Sequence, residues 1–83
     1  MILKVKRMMY YTNSDAQHKV IINEFYESPT FKIVDGSAID NKGNDIIVTN
    51  YHQLDEITNE DMTYEIVDVY LMNHEGKTIE RIR

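Results

Sequence analysis

The chain has no cysteine and no tryptophan, one proline and three glycines. Without cysteine there is no disulfide framework, no thiolate metal site and no thiol nucleophile. The glycines, Gly36, Gly43 and Gly76, are too scattered for either of the Gly-rich loops that cradle phosphate. No apolar run approaches the roughly 18–20 residues that a membrane-spanning helix needs. The opening Met-Ile-Leu-Lys-Val-Lys-Arg puts charge after the apolar residues, the reverse of a secretory signal. The expectation is a cytoplasmic protein. Its length of 83 residues suits one small domain, 1–83, with a thin margin of stability.

Positive charge is also in short supply, and it is unevenly placed. The net charge is −5. Residues 1–20 are basic, with Lys4, Lys6, Arg7 and Lys19 against Asp15 alone. Residues 35–68 hold nine carboxylates, among them Asp55, Glu56, Glu60, Asp61 and Asp68, against Lys42 alone. Asymmetry of this kind steers charged partners, although a charged surface also serves solubility. The composition leans on Ile, Asn, Lys and Tyr, residues with A/T-rich codons, which points to a low-G/C bacterium or one of its phages.

What the chain does have is a repeat. Thr30-Phe31-Lys32-Ile33-Val34-Asp35 returns 33 positions later as Thr63-Tyr64-Glu65-Ile66-Val67-Asp68. Each copy runs on to a glycine turn, Asn41-Lys42-Gly43 and His74-Glu75-Gly76. A type I turn with the glycine as a G1 bulge fits both, so two equivalent β-hairpins are expected. The register then pairs Asp40 with Asn44 and Ala38 with Ile46. In the second copy it pairs Leu71 with Ile79, Val69 with Arg81 and Asp68 with Ile82. Gly36-Ser37-Ala38 stands where the second copy has Val69-Tyr70-Leu71. That marks a bend, a bulge or a close approach in the first copy.

Other segments read as follows. Residues 2–11 are a strand with Leu3, Val5, Met9 and Tyr11 on one face, interrupted by Arg7. Ser14 and Gln17 have capping-box spacing, which permits one helical turn. Residues 18–27 form a strand apolar on both faces, as a central or strongly curved strand would be. Ile66–Met72 is the most hydrophobic strand and belongs at the centre of the sheet. Asn50 can cap a helix, and Leu54 and Ile57 lie three apart, so a short helix is expected over 50–58. The fold class is mainly β, in the α+β sense. It comprises a five- to six-stranded antiparallel curved sheet, or an SH3- or OB-like barrel, with two hairpins and one short helix.

Chemistry is sparse. Ser14, Ser28 and Ser37 lie in no nucleophile elbow, and His18, His52 and His74 are isolated along the chain. Aligning Gly43 with the invariant glycine of a calcium loop puts Ala38, Lys42 and Thr49 at ligand positions, and the match fails. No catalytic residue, metal or cofactor is expected. Asp35 and Asp68 fall at equivalent places in apolar strands, where a basic neighbour such as Arg81 would satisfy them better than a shared site.

Binding is the remaining class. Tyr51, Leu54, Asp55, Glu56, Glu60 and Asp61 combine aromatic, apolar and acidic groups in the non-repeated connection between the hairpins. Such a patch suits a basic surface on a partner protein, and a partner whose groove holds nucleic acid would be inhibited by it. Phage or mobile-element inhibitors have this character. Two alternatives stand beside it. One is a nucleic-acid-binding barrel using Lys4, Lys6, Arg7, Tyr10 and Tyr11. The other is a homo-oligomeric module that pairs through exposed strand edges.

Overall fold

The computed structural model describes residues 1–13 and 19–83. The Ser14–Gln17 turn and His18 lie outside the described residues. The strands are β1 (Ile2–Tyr11), β2 (Val20–Glu27), β3 (Phe31–Val34), β4 (Ser37–Asp40), β5 (Tyr51–Asp55), β6 (Glu60–Met72) and β7 (Thr78–Arg81). None of the described residues is helical. The main sheet is antiparallel in the order β2-β1-β6-β5, and β7 pairs with the far end of β6. The strands β3 and β4 form a separate two-stranded ribbon.

Strand β1 shows why the sheet has an inside. Leu3, Val5 and Arg7 alternate inward and are buried, while Lys4 and Lys6 keep their heads at the other face. Its partner β6 has to change parity to keep apolar groups inward. Ile66 and Val69 are both buried although they are three apart. A β-bulge solves this: Lys6 pairs with Asp68 and Arg7 with Ile66, so Val67 is passed over. Bulges raise local twist, and the sheet curls here into a half-barrel.

One end of the concave face is covered. Phe31, Ala38, Ile46 and Ile47 lie over Leu3, Val5, Val69 and Leu71, and Leu3, Val5 and Val69 are completely buried. The C-terminal arm holds this cover in place, because Arg83 Nη1 donates to the Ile47 carbonyl at 2.8 Å. Among the described residues, the other end, formed by the second half of β1 and the first half of β6, has no such cover.

The repeat is real at its turns and diverges elsewhere. Asp40 Oδ1 accepts from the backbone N–H groups of Lys42 and Asn44. Asn73 Oδ1 accepts from those of Glu75 and Lys77 in the same way. Gly43 and Gly76 take φ of 85° and 84°, the left-handed values that a G1 bulge requires. The expected pairs Asp40–Asn44 and Ala38–Ile46 both form. Upstream, the first copy breaks. Asp35 and Gly36 have φ of 48° and 79° and make the tight turn between β3 and β4. The bend expected at Gly36 is therefore a full reversal, and Ala38, beyond it, is packed in the core.

Three expectations are corrected. Residues 50–58 form no helix; they form β5 and the turn after it. Pairing of Tyr51 with Tyr64 and of Gln53 with Met62 outweighs the Leu54–Ile57 spacing, and both of those residues stay exposed. Asn50 caps no helix; its Oδ1 accepts from the Ile66 N–H at 2.9 Å. The second strand is an edge, since among the described strands β2 pairs only with β1. In the last hairpin, a bulge at Ile79 moves the register by one, giving Leu71 opposite Glu80 and Tyr70 opposite Arg81. The shift brings Ile82, which packs on the core, beside Val69.

Candidate functional site

The β5–β6 hairpin ends in a four-residue loop, Glu56-Ile57-Thr58-Asn59. Asp55 organises it: its Oδ1 accepts from the Ile57 N–H at 3.0 Å, and its carbonyl accepts from the Asn59 N–H at 2.7 Å. Asn59 takes φ of 58°, a conformation that its short polar side chain tolerates. The Ile57 N–H, the Tyr11 hydroxyl at 3.1 Å and Thr58 hold the Asp55 carboxyl below its ordinary pKa.

This loop gathers five of the six sequence-selected residues. Glu56 and Glu60 are exposed, and Glu60 stands directly opposite Asp55 in the ladder. Asp61 is half-buried; it accepts from Thr12 Oγ1 at 2.8 Å and lies 3.2 Å from His52 Nδ1. Leu54 is 54% exposed and Ile57 95% exposed. Behind the loop lies the uncovered end of the concave face. Met9 and Tyr11 of β1 pair with Tyr64 and Met62 of β6, and these four are only half-buried. Together with Leu54 and Ile57 they bound an open trough of about 600 Å³, with Asp55 and Glu56 on its rim. The trough has an apolar floor and an acidic lip.

Tyr51, the sixth residue, belongs to a different assembly. Its ring stacks on Tyr64 with the centroids 4.5 Å apart, and the Arg7 guanidinium lies over it, 4.7 Å from the ring centroid. Its hydroxyl donates to Glu24 Oε2. Arg7 is almost wholly buried: Nε donates to Glu24 Oε1 at 2.7 Å and Nη1 to the Thr49 carbonyl at 2.8 Å. Tyr26 adds a hydrogen bond to Glu24 at 3.2 Å. Burial alone would raise the Glu24 carboxyl pKa. The hydrogen bonds from Tyr51 and Arg7, the Arg7 charge and the Tyr26 hydroxyl outweigh it and hold the group below its ordinary value. Burial and then Glu24 itself push both tyrosine hydroxyls up. A cavity of about 220 Å³ opens beside Arg7 between Tyr26, Tyr51, Asp40 and Asn44.

Sequence reasoning passed over Arg7 and Glu24 as a network. The signal was present: each interrupts an otherwise apolar inward set, Leu3-x-Val5-x-Arg7 and Ile22-x-Glu24-x-Tyr26, with opposite signs. Two such interruptions on neighbouring strands imply a buried pair.

The basic residues of the first strand do not form one surface. Arg7 and Tyr11 face the concave side, whereas Lys4, Lys6 and Tyr10 face the convex side. On the convex side Lys4 lies between Phe25 and Tyr70, and Arg81 pairs with Asp68 at 2.7 Å. Asp35 is exposed in the β3–β4 turn, whereas Asp68 is held by Arg81.

No protein-family model, curated protein or solved structure matches this chain. Among the described residues, no helix is long and apolar enough to cross a membrane.

Proposed function

We propose that the protein is a non-enzymatic binding module whose β5–β6 end takes a basic, partly apolar segment of a partner protein. The observation that carries this reading is the trough, an apolar floor uncovered among the described residues, with Asp55 and Glu56 on its rim and with Glu60 and Asp61 around an adjoining depression. Two further features support it. Glu60 directly opposite Asp55 is a like-charge cross-strand pair, which costs stability unless a cation neutralises it. Ile57 at the loop tip is nearly fully exposed, where it adds nothing to the fold and is free for a partner. A partner whose basic groove ordinarily holds nucleic acid is the class this surface would block by charge mimicry, as a phage-type inhibitor in the cytoplasm would.

The test is fluorescence anisotropy with two labelled peptides, one alternating Lys with Leu and one alternating Glu with Leu. The Lys peptide should bind at low salt and the Glu peptide should not. Glu56→Gln with Glu60→Gln removes charge without touching the Asp55 cap and should weaken binding about 3- to 10-fold, less as salt rises. Equal binding of both peptides, or no effect of the double substitution, refutes the reading.

A further inference from the structure

We infer that β2 is a docking edge for a second copy of this chain, joined antiparallel about a two-fold axis at Asn23. Among the described residues the edge lacks most of the common protections, and its one inward-pointing charge, Glu24, is already matched by Arg7. It is eight residues long, contains no Lys, Pro or Gly, and follows β1 without a bulge from Ile2–Glu27 to Met9–Val20. It also exposes Val20, Ile21 and Phe25 at 50%, 46% and 59%. The short edges β5 and β7, of five and four residues, offer far less.

The sequence of β2 reads as its own complement. An antiparallel two-fold pair keeps each side chain on its own face, so the axis must pass through one residue. With the axis at Asn23, Ile21 stands opposite Phe25 of the second copy on the convex face, twice over. Val20 stands opposite Tyr26, and Ile22 opposite Glu24, whose charge Arg7 already holds. At both ends Lys19 stands opposite Glu27. Neighbouring registers lose this. An axis at Glu24 sets Glu24 against itself. An axis at Ile22 sets Lys19 against Phe25 and Ile21 against Asn23. Cross-strand apolar and opposite-charge pairs stabilise, and like charges opposite each other destabilise, so one register is selected. The product is a continuous sheet through both copies, β5-β6-β1-β2 and its mirror order. It leaves both acidic troughs at the outer ends, free of the interface.

Sedimentation equilibrium of the full chain tests this. The wild type should show a concentration-dependent monomer–dimer equilibrium. Phe25→Lys should abolish it with an unchanged circular dichroism spectrum. Lys19→Glu and Glu27→Lys should each weaken it roughly tenfold, and the K19E/E27K chain should recover it to within about threefold, because the swapped charges meet again across the axis. A wild type that stays monomeric at about 1 mM overturns the proposal. So does a dimer that is indifferent to Phe25→Lys, or a double variant no tighter than the singles.

Discussion

Arg7 and Glu24 provide the sharpest energetic test of the fold. The Arg7 side chain is 3% exposed and that of Glu24 is 22% exposed, and the pair closes at 2.7 Å. Replacing Glu24 by Gln keeps the shape but leaves a buried guanidinium with its charge unmatched. Breaking a buried pair in this way costs about 3–5 kcal/mol, and the partial exposure of Glu24 places the expected cost toward the lower end. A chain of 83 residues has only about 4–12 kcal/mol to lose. Glu24→Gln should therefore remove between about a quarter and three quarters of the stability, read as a fall in urea midpoint at constant m-value. Replacing both partners, Arg7→Met with Glu24→Leu, should cost far less than either single change, since apolar pairs of similar volume substitute well for buried ion pairs. The pH dependence follows from the depressed carboxyl. Its stabilising contribution is fully present above the ordinary value of 4.5 and is lost as pH falls through the lowered native pKa. Asp40 and Asp55 are depressed as well and lose their contributions in the same range, so the decisive quantity is the difference between wild type and Glu24→Gln. That difference should shrink below about pH 4. A Glu24→Gln chain within about 0.5 kcal/mol of wild type at neutral pH would refute the account, because surface pairs alone are worth that little.

Two other changes probe the scaffold. Ala38 is fully buried on the inner side of the ribbon, so Ala38→Val should destabilise by about 1–3 kcal/mol through overpacking, measured by urea denaturation; a neutral result would mean that the core has slack there. Gly43→Ala and Gly76→Ala meet no neighbouring atom but force a left-handed residue, so each should cost about 1–2 kcal/mol and the two costs should agree. A large disagreement would show that the two turns differ in more than sequence.

Much of the architecture was legible because it is written locally. The Asp/Asn-x-x-Gly turns announce themselves by residue type, and the alternation in β1 gives its inward face directly. The acidic cluster at 55–61 was legible for the same reason. The helix expected over 50–58 fails because Leu54 and Ile57 resemble a helical stripe only when their partners are ignored. Tyr51 stacking on Tyr64 and Asn50 accepting from Ile66 are contacts between strands, and spacing within one segment carries no trace of them. The trough was invisible for a related reason. It exists because the cover supplied by Phe31, Ala38, Ile46 and Ile47 stops short of Met9 and Tyr64, and the extent of a cover is a property of the assembled chain. Tyr51 was assigned to the acidic patch by proximity in sequence, whereas Arg7 and Glu24 draw it to the interior.

The pairing of β1 with β6 sets the timetable of folding. Ile2 finds its partner in Met72, so the central ladder joins nearly the two ends of the chain. Closing so long a loop is slow compared with zipping the local β5–β6 and β6–β7 hairpins. On the ribosome, at about 5–20 residues per second, β1 waits several seconds for β6. In that interval it has only β2, and a lone two-stranded ribbon is marginal in water. The newborn chain therefore displays Val20, Ile21 and Phe25 on an unprotected ribbon before it has a core. Conditions that slow translation should lower its soluble yield more than they lower that of a helical protein of equal length.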